Sequence, residues 1–172
     1  ILKRVYLRTM TRRAALRATI LAPVSNTTAE HIQRAFNVSV DRMQVVPAAI
    51  DEDFIPQPGA KVAEFRARYG LPEKFWLFVA ERWSHKNHET LIAAFTALRR
   101  RTPDGWALVI RGELPASAQA MVPQITPAGR VIQLPRLVAE DMPALYSAAS
   151  ALVFPSLFEG GGQPVMEAMA CG

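Results

Sequence analysis

The chain holds one cysteine, Cys171, in 172 residues. An intramolecular disulfide is therefore excluded, and a reducing compartment fits. No apolar run reaches the roughly 18 residues needed to span a bilayer. Residues 1–20 have basic side chains scattered throughout, without the clean apolar stretch of a signal peptide. Internal repeats and low-complexity tracts are absent. Acidic side chains are missing from residues 1–29, which hold Lys3, Arg4, Arg8, Arg12, Arg13 and Arg17. The remaining residues carry 14 basic and 15 acidic groups, so the net charge of +5 belongs to the first 29. That asymmetry argues against a nucleic-acid-binding surface spread over the chain, and no nucleic acid is expected as a partner.

Other absences narrow the chemistry. No histidine follows His88, so Cys171 has no nearby base and reads as a buried structural thiol. Ser156 lacks the Gly-x-Ser-x-Gly elbow of a serine hydrolase. His85 and His88 lie three apart with no third ligand close in sequence, so no metal is expected. Arg99-Arg100-Arg101 precede Thr102-Pro103 and complement the dipole at a helix C-terminus.

Half the residues are hydrophobic and a fifth are charged, enough for a sizeable core. Residues 1–18 read as a helix of moderate amphipathicity, and 19–24 as a short buried strand. Asn26 or Thr27 is placed to cap a helix to about Phe36, with Ile32, Ala35 and Phe36 inward. Gln44-Val45-Val46 reads as a strand stopped by Pro47. Residues 51–59, with Pro56, Pro58 and Gly59, read as a linker or long exposed loop. From Ala60 the pattern is regular. Helices are expected at 60–69, 88–101, 115–122, 141–149 and from Pro164 to Ala170. Strands are expected at 75–80, 106–110 (after an Asp104-Gly105 turn), 131–134 and 151–154. Apolar strands alternating with helices point to an α/β fold, a Rossmann-like doubly wound parallel sheet covered on both faces. The chain opens on Ile1 and stops at Cys171-Gly172, where a further strand would follow. Both ends are expected to be cut.

Two loops follow strand C-termini, where ligands bind in open α/β sheets. The first runs from Glu81 to His88. Arg82 and Lys86 lie four apart between a strand end and a helix start, and the pair suits a diphosphate. The same residues also fit a solvated loop with Ser84 capping the helix. The second is Ser156-Leu157-Phe158-Glu159-Gly160-Gly161-Gly162-Gln163-Pro164-Val165-Met166-Glu167. Its three glycines permit close backbone approach to a ligand, and Pro164 suits a first helical turn. Met166, Met169 and Ala170 are expected to face the sheet while Glu167 looks back at the loop. The competing reading makes the glycines a flexible turn and Glu167 a helix-start stabiliser.

The stretch from Leu145 to Gly172 resembles the signature of retaining, GT-B-fold glycosyltransferases, the glycosyl transferases group 1. That family has two glutamates separated by seven residues, as Glu159 and Glu167 are. Arg82, Lys86 and Asn87 are similar to its Gly-Arg-x-x-x-Lys-Asn element, and Val45-Val46-Pro47 with Ile50-Asp51 and Phe54 to its interdomain segment. Glu81 stands where the family usually has glycine, Ala48-Ala49 where it has Asn-Gly, and Gly161 where an aromatic is common.

The resemblance implies the C-terminal half of a GT-B fold, truncated. Residues 1–24 would be the tail of an acceptor-side domain, 25–59 an interdomain segment and 60–172 the donor-binding domain. It implies a nucleotide-sugar co-substrate, no other cofactor, and a glycan or lipid-linked acceptor. Arg82, Lys86 and Glu159 would serve catalysis, the two cations holding the diphosphate and Glu159 the sugar hydroxyls. Gly160, Gly161, Gly162, Gln163, Pro164 and Val165 would contact the donor, and Glu167 the ribose. A cytoplasmic location follows, with peripheral membrane contact through residues 1–18. By itself the chain is expected to be inactive, since half the cleft lies outside it. A nucleotide-sugar epimerase and a non-catalytic nucleotide-sugar-binding module are the alternatives.

Overall fold

The four apolar runs of the second half pair into one sheet in the computed structural model of the chain, which describes residues 2–101, 106–122 and 130–172. They are β1 (Phe75–Val79), β2 (Ala107–Arg111), β3 (Arg130–Leu134) and β4 (Ala151–Leu152). All pairings are parallel, and the spatial order is β3-β2-β1-β4. Leu77 of β1 stands opposite both Val109 of β2 and Leu152 of β4. The helices are α1 (Leu2–Arg17), α2 (Asn26–Phe36), α3 (Gly59–Tyr69), α4 (His88–Arg101), α5 (Ala116–Met121), α6 (Met142–Ala148) and α7 (Gln163–Ala170). The expected Asp104-Gly105 turn and Thr102-Pro103 lie outside the described residues.

The chain divides into two compact units, residues 1–49 and 50–172. In the second, strand alternation splits the core in two. Phe75, Leu77, Val79, Ala107 and Val109 pack with Phe65 of α3 and with Leu145 and Tyr146 of α6. Phe78, Leu108 and Ile110 pack on the other face with Leu91, Ile92 and Phe95 of α4 and Ala118 of α5. Each fully buried Phe or Leu here contributes roughly 1.5–3 kcal/mol. Burial on both faces is why these strands read as unbroken apolar runs rather than alternating ones. Right-handed crossovers require the helices to change face when the strand order reverses. The chain steps outward from β1 to β2 to β3, then returns past β1 to β4, and α6 accordingly lies on the face opposite α4 and α5.

Local chemistry sets several boundaries. Gly70 ends α3 in the left-handed conformation, φ 62°. Gly112 follows β2 at φ 122°, where any Cβ would collide with the Ala80 carbonyl, so only glycine fits. Cys171 is buried as expected. Residues 51–58 form the expected exposed loop, anchored at Phe54 and Gln57. The Phe54 ring meets that of Tyr146 at a tilt, 5.9 Å between centres, and the Gln57 backbone amide donates to Ser147 Oγ at 3.0 Å.

The first unit departs from the sequence reading in three ways. The expected strands at 19–24 and 44–46 lie side by side, with Gln44 N donating to the Leu21 carbonyl and Val46 N to the Pro23 carbonyl, but the pairing amounts to one parallel bridge, Leu21 to Met43, instead of two strands. Along α1 the apolar residues Val5, Tyr6, Leu7 and Met10 are exposed and Ala15 is buried. Ser25, not Asn26 or Thr27, caps α2 by accepting from the Thr28 amide, and Ala35 is exposed. Arg42 closes the C-terminal end of α1 by donating to the carbonyls of Ala15, Leu16 and Ala18.

Candidate functional site

The order reversal between β1 and β4 leaves a crevice at their carboxyl ends, and both loops picked from the sequence open there. They are stitched together. Asn87 Nδ2 donates to the Pro155 carbonyl at 3.1 Å, and the Leu157 amide donates to the His85 carbonyl at 2.8 Å. Asn87 can do this because it adopts a left-handed conformation, φ 61°, that asparagine tolerates. Ser84 opens one 3-10 turn over Ser84–Lys86 instead of capping α4.

Lys86 reaches across the two loops. Its Nζ lies 2.6 Å from Glu159 Oε1 and 5.4 Å from the centre of the Phe154 ring. The pair is well sheltered, with 14% and 25% of the side chains exposed. Burial by itself would raise the Glu159 carboxyl, but the hydrogen bond and charge of Lys86, together with Ser156 and His85, outweigh it and hold the group below its ordinary value. Arg82 is placed differently. It is 71% exposed and pairs with Glu113 at 3.2 Å. The two cations that the spacing puts together in sequence thus have separate carboxylate partners.

At the other end of the glycine loop, Gly162 adopts φ 66° and caps α7, its carbonyl accepting from the Val165 amide at 2.9 Å. Gln163 and Pro164 form the first turn, and Gly161 and Gln163 are exposed. Met166 and Ala170 are half-buried, but Met169 is 77% exposed and does not face the sheet, because α7 covers the core with Ala168. Glu167 Oε2 accepts from the Tyr146 hydroxyl at 2.6 Å. Burial, then the hydrogen bond and charge of Glu167, push the Tyr146 phenol above its ordinary value, so it is a firm donor.

Two clefts open beside these loops. One, about 430 Å³, is lined by Trp83, His85, Lys86 and Pro164. The other, about 520 Å³, is lined by Gly112, Glu113, Gln133 and Arg136. Glu81 and Arg111 line both. Arg111 Nη1 lies 3.4 Å from Glu81 Oε1, so the acidic residue that stands in for a glycine has a cation beside it. Sequence reasoning missed Arg111 and Tyr146. A charged residue closing an apolar strand at its carboxyl end was a usable signal for the first. Tyr146 carried none, because a tyrosine on the inner face of a helix reads as core. His88 is buried edge-on against Phe78, at 5.1 Å, while His85 faces the cleft. Among the described residues no group of three or more His, Cys, Asp or Glu is placed to hold a metal ion.

The parallel sheet and its switch-point crevice define an α/β class, and the comparisons narrow it to a family. The model of the glycosyl transferases group 1 matches residues 62–172, and the chain belongs to that family. It is 31% identical over 159 residues to O-antigen chain mannosyltransferase B of Escherichia coli, covering 90% of this chain and 42% of that one. It is 32% identical over 175 residues to a GDP-mannose-dependent alpha-(1-6)-phosphatidylinositol monomannoside mannosyltransferase of Mycolicibacterium smegmatis, covering 96% and 45%. The chain thus spans less than half the length of these relatives. Sucrose-phosphate synthase of Thermosynechococcus elongatus superimposes with a TM-score of 0.77 at 23% identity, over 96% of this chain and 42% of that one. Anabaena HepE, solved with UDP and glucose, gives 0.72 at 16%, over 96% and 45%. The fold is that of GT-B glycosyltransferases.

Proposed function

We propose that this chain is the donor-binding part of a glycosyltransferase that moves a hexose from a nucleoside diphosphate to a glycan or lipid-linked acceptor, with retention of anomeric configuration. The sheltered Lys86–Glu159 pair, at the switch-point crevice beside the α7 N-terminus, carries this reading. Mannose is the first sugar to try, because several relatives are named mannosyltransferases.

When the glycosidic bond breaks, negative charge builds on the leaving diphosphate. Lys86, Arg82 and the N–H groups around Gly161, Gly162 and Gln163 stabilise that charge without a metal. Glu159 accepts from the sugar hydroxyls once the diphosphate competes for Lys86. Gly160, Pro164 and Val165 shape the wall along which the donor lies, and Glu167 accepts from the ribose hydroxyls. Among the described residues no helix is long and apolar enough to cross a membrane. Arg8, Arg12, Arg13 and Arg17 with the exposed Val5, Tyr6 and Leu7 on α1 suit peripheral contact with an anionic bilayer.

Calorimetric titration of the chain with GDP and UDP tests the donor site. Micromolar binding that is unchanged by EDTA and weakened about 30-fold or more in Lys86→Ala is the expected result; no binding of either by the folded chain overturns it. The anomeric configuration of the product made by the longer gene product, read by NMR, tests retention.

A further inference from the structure

We infer that Tyr146 is the positioning residue for Glu167, fixing the plane of its carboxylate so that it can accept the ribose hydroxyls of a nucleoside diphosphate. The inference rests on the reading of Glu167 as the ribose-binding carboxylate. A glutamate near the start of a helix has three rotatable bonds, and loses that freedom on binding a ligand unless something has already restricted it. Tyr146 supplies the restriction. Its hydroxyl donates to Glu167 Oε2 at 2.6 Å, a short, charge-assisted bond. The tyrosine is itself held by its surroundings, being 5% exposed in the core beneath β1 and β2 with its ring tilted against Phe54 at 5.9 Å. Each carboxylate oxygen accepts in two directions. One bond from Tyr146 therefore leaves Oε1 and half of Oε2 for a vicinal diol. Tyr146 and Glu167 sit on α6 and α7, which flank β4, so the bond also ties the glycine-loop helix to the helix before it.

The experiment compares binding of GDP and UDP with that of their 2′-deoxy forms, by calorimetry, for the chain and for Tyr146→Phe. The phenylalanine keeps the ring against Phe54 and removes only the hydroxyl. The unaltered chain is expected to prefer the ribonucleotide about tenfold, the worth of one charge-assisted hydrogen bond. Tyr146→Phe is expected to shrink that preference to about twofold or less, with 2′-deoxy binding unchanged. A merely structural role would weaken all four nucleotides equally. Full preference retained in a folded Tyr146→Phe overturns the inference while leaving the Glu167 reading intact. No preference in the unaltered chain overturns both. Should Tyr146→Phe fail to fold, Tyr146→Met removes the donor with a smaller, adaptable apolar side chain, and the same outcomes apply.

Discussion

The two carboxylates at the ends of the glycine loop are held by opposite means. Glu159 faces a cation, Lys86, at 2.6 Å; Glu167 faces a neutral phenol, Tyr146, at the same distance. The first pairing neutralises charge, and under the proposed function the diphosphate takes the place of Glu159 on Lys86. The second brings no opposing charge, only a directed donor, which is what the proposed ribose-binding role would use. Like residue types in one motif thus acquire different chemistry from what the fold places against them.

Removing Lys86 should break the comparison most severely. Lys86→Ala takes away the cation proposed to hold the diphosphate and removes the Lys86 partner of the sheltered Glu159, so nucleoside diphosphate binding should weaken about 30-fold or more. Calorimetry and a melting curve together separate lost binding from lost fold. Glu167→Gln should weaken binding about tenfold, nearly all of it in the ribonucleotide relative to the 2′-deoxy form.

Changing pH separates the two ends without mutation. Glu159 has a folded pKa below its ordinary 4.5, so its stabilisation is complete above 4.5 and lost as pH falls further. Tyr146 is the reverse case. Its folded pKa lies above the ordinary 10.0, so its contribution is complete below that pH and lost as pH rises beyond it. Urea unfolding across pH should therefore lose stability at the acid end in a Glu159-dependent way and at the alkaline end in a Tyr146-dependent way. His88, buried and held below 6.5 chiefly by desolvation, adds an earlier acid loss beginning near that value. His88→Leu should remove that step and no other.

The smallest effect is expected from Arg82→Ala. Its pair with Glu113 is exposed on both sides, so stability should change by less than about 0.5 kcal/mol. Binding of the diphosphate should fall about threefold in low salt and hardly at all in high salt, where an exposed charge is screened.

Much of the second unit was legible in advance. The strands around Leu77, Val109 and Ile132 are short apolar runs between turn residues, and they needed no tertiary information. The loops around Lys86 and Glu159 were legible as well, because both follow strand ends. What failed was burial on short helices and in the first unit. Met169 was placed inward by periodicity, but a two-turn helix such as α7 covers the core with only part of its surface. Residues 19–24 and 44–46 are apolar enough to be strands, yet strand formation depends on neighbours that no local pattern reveals.

Local sequence determined the α/β alternation, the glycine loop and the two carboxylates, because each depends on residues close together in the chain. Tertiary structure alone decided the partners. Lys86 meets Glu159 across 73 positions, Tyr146 meets Glu167 across 21, and Arg111 meets Glu81 across 30. Those meetings follow from the strand order β3-β2-β1-β4, which brings the ends of β1 and β4 together. A strand order is set by crossover handedness and burial over the whole unit.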